Sequence, residues 1–161
     1  QYMLAALDAS NLLSIKETEL PDGVARLQQE KKELGERLTE CTGKLLEYRI
    51  EEMKAHPATT EAGHAKFVFL ESDMTPKEAK ALARRLGEIP EAFSAIFYQN
   101  GERLNYMFLA TDGAELGCQQ VIRTVNEAFG GRGGGRPESC QGSAICPADW
   151  REKAEALMSA L

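Results

Sequence analysis

Five glycines and two arginines crowd the eight positions from Gly130 to Pro137 (GGRGGGRP). Glycine loses more backbone freedom on folding than any other residue, so such a run needs a physical reason. Unusual backbone angles would supply one, and close approach of the backbone to a ligand would supply another. Arg132 and Arg136 add fixed positive charge to a stretch rich in backbone N–H donors. That combination suits an anion such as phosphate. The familiar phosphate loops do not fit. No Gly-Lys-Ser/Thr opens a helix, and the run follows a helical pattern and precedes a strand-like one, the reverse of a dinucleotide fingerprint. A bare glycine-rich stretch can also be a flexible or tightly turned linker. Here, however, it runs straight into the patterned segment Ser139–Ile145.

Other chemistry is sparse. Cys140 and Cys146 would share a face of a strand, but zinc sites want Cys pairs two to four residues apart with further Cys or His. The two histidines, His56 and His64, have no matching spacing. No Ser–His–Asp or Cys–His arrangement stands out. We therefore expect no catalytic residue and no metal ligand in this chain. The aromatic residues Phe67, Phe69, Phe97, Tyr98, Tyr106 and Phe108 fall in strand-like segments, where core packing is the ordinary use and base stacking the alternative.

The elements that must position the glycine run divide into two parts. Residues 1–63 are dense in Glu, Lys, Arg and Leu, with a first helix over about Tyr2–Leu13 and a second starting at Pro21. Leu20, Val24, Leu27, Lys31, Leu34, Leu38, Cys41, Leu45 and Tyr48 alternate in steps of four and three. This is a heptad seam, with Lys31 as a polar break. Gly35 and Gly43 each weaken the helix by roughly 1 kcal/mol against Ala. The seam thus needs a partner, either a second copy of the chain or the first helix folded back. Leu20, Val24, Leu27, Leu34, Leu38 and Leu45 are the expected dimerisation residues. Ala55–Gly63 reads as a linker.

Residues 64–161 alternate strand and helix. Ala65–Glu71 is a strand, and Thr75-Pro76-Lys77-Glu78 a capping box opening a helix that Gly87 ends. Phe93–Gln99 and Glu102–Ala110 form a hairpin across Asn100-Gly101. A helix follows with Cys118, Val121, Ile122, Val125 and Phe129 on its inner face. The strand Ser139–Ile145 and a last helix, from near Pro147 with a Trp150–Ala154–Leu157–Met158–Leu161 stripe, complete the order β-α-β-β-α-β-α. The expected class is α/β (α+β): a long helical or coiled-coil arm, then a mixed sheet flanked by helices and carrying a glycine-rich loop at 130–137.

The chain has 161 residues and a formal net charge of −6. Residues 1–63 contribute −4 and residues 64–161 contribute −2, so neither part is a basic arm. Bulk charge therefore excludes a protein that coats nucleic acid, but leaves room for a local basic site. No apolar run approaches the roughly 18–20 residues of a membrane span. The four cysteines form no disulfide framework, and we expect a cytoplasmic protein. The chain opens on Gln1 rather than Met, which we read as the sign of a fragment.

The run from Gly130 to Ala144 (GGRGGGRPESCQGSA) resembles the glycine-rich signature of the DHH-associated domain, subfamily 1. Gly130, Gly131, Gly133, Gly134, Gly135, Arg136, Pro137, Gln141 and Gly142 match it, and Cys140 departs from the usual Ala or Val. This domain ends alanyl-tRNA synthetases and the long-form alanyl-tRNA editing proteins. The related phosphoesterases end their loop in His where Arg136 stands here. The resemblance implies an accessory module that binds RNA and forms homodimers. Its partner would be tRNA, expected to be tRNA-Ala, held by Gly130, Gly131, Arg132, Gly133, Gly134, Gly135, Arg136 and Gln141. The segment LLSIKETELPDGVARLQQEKKEL (residues 12–34) and the Gln-Gly-Ser form of the motif look more like the editing proteins than the synthetases. For an editing protein, the resemblance implies zinc in a domain outside this chain. A purely structural homodimerisation module is the competing reading.

Overall fold

A computed structural model describes residues 2–114 and 117–161. The chain forms two compact units, one reaching to Ile50 and the other Glu51–Leu161. In the first unit, α1 (Tyr2–Leu13) ends at Ser14, which takes a left-handed φ of 54°. A 3-10 turn (Glu17–Glu19) leads into the long α2 (Leu20–Ala55). The turn returns the chain onto the start of α2, where Ile15 lies so close to Gly23 that a Cβ there would meet its Cδ1 at 2.3 Å. Gly23 is thus the residue that admits the bend. With a 1.5 Å rise per residue, α1 is about 18 Å long against about 54 Å for α2. The first helix folded back therefore does not cover the seam: Leu34, Leu38 and Leu45 are 60–68% exposed.

The second unit is a mixed α/β fold around a six-stranded sheet of order β1-β2-β3-β4-β6-β5. The strands are β1 (Ala58–Thr59), β2 (Ala65–Glu71), β3 (Ala92–Asn100), β4 (Arg103–Ala110), β5 (Arg132–Arg136) and β6 (Ser139–Ile145). Only β2 and β3 run parallel, joined by α3 (Pro76–Leu86). The capping box opens α3 as expected: Thr75 Oγ1 accepts from the Glu78 N–H, and the Glu78 carboxylate accepts from the Thr75 N–H. Gly87 ends it in a right-handed conformation (φ −66°), so its freedom at positive φ is not used.

Strand alternation builds two layers. Phe93, Ala95 and Phe97 of β3 and Leu104, Tyr106 and Phe108 of β4 pack with α4 (Cys118–Phe129) and α5 (Trp150–Ser159). Phe97 sits 5.5 Å from Phe108 edge-on and 6.0 Å from Tyr106. Ser94, Ile96 and Tyr98 point to the other face, where α3 packs on β3 with Ala79, Leu82, Ala83 and Leu86 buried.

Three sequence expectations need correction. The hairpin loop is Gly101-Glu102, because Asn100 pairs with Arg103; Gly101, at φ 60°, holds the first loop position. A glycine there is what a type II′ turn requires. The linker contains β1, which pairs antiparallel with β2. The glycine-rich segment is a strand rather than a loop, so the order gains β1 and β5.

Phe97→Ala removes a ring from the centre of the core and should cost about 3–5 kcal/mol. Leu34→Ala should change stability by under about 0.5 kcal/mol at concentrations where the chain is monomeric. Urea denaturation checks both.

Candidate nucleic-acid interface

Glycine is required along β5 chiefly by the protein's own backbone. A Cβ on Gly133 would meet the Gln141 carbonyl oxygen and Gly142 Cα at 2.3 Å each. One on Gly135 would meet the Ser139 carbonyl oxygen at 2.3 Å, and one on Gly131 the Tyr106 hydroxyl at 2.2 Å. Gly142 of β6 is similarly filled by the Tyr106 ring, at 2.4 Å. Gly130 closes α4 in the left-handed conformation (φ 62°), its N–H bonded to the Asn126 carbonyl. Only Gly134 of the glycines in β5 faces open space. The cost of glycine is therefore offset by tight apposition of β5 on β6.

Helix α4 holds this edge in place. The Asn126 side chain accepts a short hydrogen bond from the Tyr106 hydroxyl and donates through Nδ2 to the Gly133 carbonyl at 3.3 Å. Gln119 Nε2 donates to the Gly135 carbonyl at 2.9 Å. The outer carbonyls of an edge strand are thereby given partners instead of being left as a pairing template. Tyr106 is fully buried, and burial raises its hydroxyl above the ordinary tyrosine pKa, with Arg103 opposing.

Register then decides where the arginines stand. Arg103, Asn105, Met107 and Leu109 of β4 lie opposite Ile145, Ser143, Gln141 and Ser139 of β6. Arg132, Gly134 and Arg136 of β5 lie opposite Ser143, Gln141 and Ser139. Directly opposed residues share a face. This is the face away from α4 and α5, and its residues are exposed or half-buried. Arg103 Nη2 donates to Ser143 Oγ at 2.7 Å, and Arg136 approaches Glu138 at only 4.0 Å while 85% exposed. A shallow depression of about 290 Å³ is lined by Tyr98, Asn105, Met107, Arg132, Gln141 and Ser143, among others. Three guanidinium groups, an amide pair, a hydroxyl and a ring edge thus share one open sheet surface.

The expected residues separate accordingly. Arg132, Arg136 and Gln141 come together on this surface, with Gly134 between them. Gly130, Gly131, Gly133 and Gly135 serve the packing beneath and beside it. Arg103 was missed: it lies outside the motif, and only the β4–β6 register brings it in. His56 is exposed at the end of α2 and His64 half-buried. Among the described residues no three His, Cys, Asp or Glu side chains gather as metal ligands. No described helix is long and apolar enough to cross a membrane.

Cys118 and Cys140 are buried thiols. Burial, then the nearby Cys140, pushes Cys118 up to about 12, while burial and Glu138 raise Cys140. Thiolate is the reactive form, so neither is poised as a nucleophile.

No family model matches the chain. Over 137 residues it is 26% identical to the alanine–tRNA ligase of Methanoregula boonei, a match covering 85% of the chain and 14% of the ligase. The chain thus spans a small part of the length of that relative. Among solved structures it is similar in fold to the C-Ala domain of Aquifex aeolicus alanyl-tRNA synthetase. The TM-score is 0.53 and the identity 23%, over 61% of this chain and 91% of that domain.

Gly133→Ala should lower stability by about 1–3 kcal/mol, since the added methyl overlaps backbone that cannot step aside. Gly134→Ala should change it by under about 0.5 kcal/mol; denaturant midpoints of the two variants decide. The Cys118 pKa in the fold lies above its ordinary value of 9.0. Folding therefore favours the neutral thiol, and this contribution is complete below pH 9 and fades as the pH rises towards 12. At about pH 8, below that window, iodoacetamide should label the exposed Cys41 and leave Cys118 unmodified, read by peptide mass.

Proposed function

We propose that this chain is a tRNA-binding and dimer-forming module of an alanyl-tRNA-handling enzyme. The observation that carries the reading is the open β4–β6–β5 surface. It concentrates Arg103, Arg132 and Arg136 beside Gln141, Asn105 and Ser143 in a chain whose net charge is −6. Arg103 stands two strands from Arg132, and Arg132 and Arg136 lie four residues apart on β5, separations of roughly 10–13 Å that suit separate backbone phosphates, while the amides and Ser143 offer donors and acceptors to a sugar or base edge. The similarity to an alanine–tRNA ligase and to a C-Ala fold supports tRNA over other polyanions. Both of those relatives are synthetases. The segment at residues 12–34 is the feature that resembles editing proteins, and we keep both parents within the proposal. In either, this chain supplies binding while the chemistry resides in another domain.

The α2 seam supports the second half of the reading. Leu20, Val24, Leu27, Leu34, Leu38 and Leu45 form a stripe along one side of α2, and all but the half-buried Leu20 are 45–68% exposed. A stripe of this length is stable in water when a like helix covers it. A purely structural dimerisation module would use the seam and leave the arginine surface without a ligand. The two readings part on RNA binding.

The affinity of the chain for tRNA-Ala, measured by fluorescence anisotropy against salt, should fall steeply as salt rises. Arg103→Ala, Arg132→Ala and Arg136→Ala should each reduce the salt slope by about 1 while leaving the fold intact. A dissociation constant and slope unchanged in the triple variant would leave only the structural reading.

A further inference from the structure

The charges flanking the α2 seam specify how two copies would lie. In heptad terms Val24, Lys31, Leu38 and Leu45 are a positions, and Leu20, Leu27, Leu34, Cys41 and Tyr48 are d positions. The flanking g positions are Gly23, Glu30, Arg37 and Lys44, and the e positions are Pro21, Gln28, Gly35, Thr42 and Arg49. In a parallel pair each g residue meets the e residue five further along on the partner. Glu30 would then face Gly35, Arg37 would face Thr42, and Lys44 would face Arg49, a like-charge contact. The two Lys31 ammonium groups would also share one core layer.

The antiparallel arrangement removes both conflicts. There a residues layer against d residues, and g residues meet g residues. One register, with its two-fold axis beside Lys32 and Glu33, layers Leu45 on Leu20, Leu38 on Leu27, Lys31 on Leu34 and Val24 on Cys41. Each Lys31 then lays its methylene stem on a leucine and carries its ammonium to water. In the same register Glu30 meets Arg37 of the partner subunit, twice by symmetry. Lys44 lies opposite Gly23 of the partner subunit and keeps its own 2.6 Å pair with Glu40. Within its own helix Glu30 meets Arg26 at a 4.0 Å approach, with both side chains more than half exposed, so it is available to a stronger partner.

We propose that α2 pairs with α2 of a second copy in antiparallel orientation over residues 20–45. The inference rests on the dimer reading above and adds its orientation and register. It predicts that Cys41 lies against Val24 of the partner subunit and about 25 Å from the partner's Cys41.

Sedimentation equilibrium of the chain comes first, followed by mild oxidation of the Val24→Cys variant with disulfides mapped by peptide mass. Dimers in which the thiol introduced at position 24 is linked to Cys41 of the partner subunit are expected. Dimers linked Cys41 to Cys41, or through the two introduced thiols, would overturn the orientation and leave the dimer standing. A monomer at high micromolar concentration would overturn both, without touching the tRNA reading. Should Val24→Cys disturb folding, charge reversal answers the same question. Glu30→Arg should weaken dimerisation by about tenfold, as should Arg37→Glu, and the double variant should restore it. Loss without restoration, or no loss, contradicts the antiparallel register, because a parallel pair brings neither residue to an opposite charge.

Discussion

Everything in the sheet unit depends on how closely β5 lies on β6. At Gly131, Gly133 and Gly135 a side chain would enter space already held by backbone or by the Tyr106 hydroxyl. Tyr106 in turn fills the gap above Gly142 and reaches Asn126, which also bonds the Gly133 carbonyl. The tyrosine, the asparagine and the glycines are therefore one packing unit joining α4, β4, β5 and β6. A polar network of this kind, running from the buried Tyr106 hydroxyl through the half-buried Asn126 to the edge strand, favours one arrangement of its neighbours. The register it imposes turns Arg132 and Arg136 towards the same face as Arg103.

On the proposed reading, that face is where an acidic chain would present a site for an anion. The excess of acidic residues lies outside the α-helices, in segments such as those holding Glu17, Glu19, Glu61, Asp73, Glu88, Glu91 and Asp112. The helices largely balance their charges, and exposed pairs such as Lys44–Glu40 and Lys54–Glu51 add little to stability. The sheet has α3 on one side of β3 and α4 with α5 on the other, and the β4–β6–β5 part of the first side is left open. Three guanidinium groups there act at short range, within a Debye length of about 8–10 Å, where the distant carboxylates are largely screened.

Much of the architecture was legible in the residues. Thr75-Pro76-Lys77-Glu78 marked the start of α3, and the two-residue alternation of Leu104, Tyr106 and Phe108 marked the buried side of β4. The 4–3 spacing from Leu20 marked the exposed seam. What escaped notice was set by tertiary contact. Glycine in the middle of a strand is locally unfavourable, so GGRGGGR read as a loop; only the close approach of β6 and the side chains of Gln119 and Asn126 make it a strand. The strand β1 has two residues and no pattern of its own. The hairpin register slipped by one because Asn100-Gly101 is a good turn by local preference, while pairing of Asn100 with Arg103 moves the loop onto Gly101-Glu102. Arg103 carried no signal at all, since its place in the site is a matter of which strand lies beside which. Likewise the purpose assigned to most of the glycines shifted from ligand approach to packing.

The open sheet surface is tested most directly by an amide chemical-shift map of the labelled chain during titration with tRNA-Ala. Shifts should concentrate in Arg103–Leu109, Arg132–Arg136 and Ser139–Ile145, with α3, α4 and α5 little affected. Shifts confined to the helices, or none at concentrations that saturate anisotropy, would contradict the assignment of the open sheet surface as the RNA site.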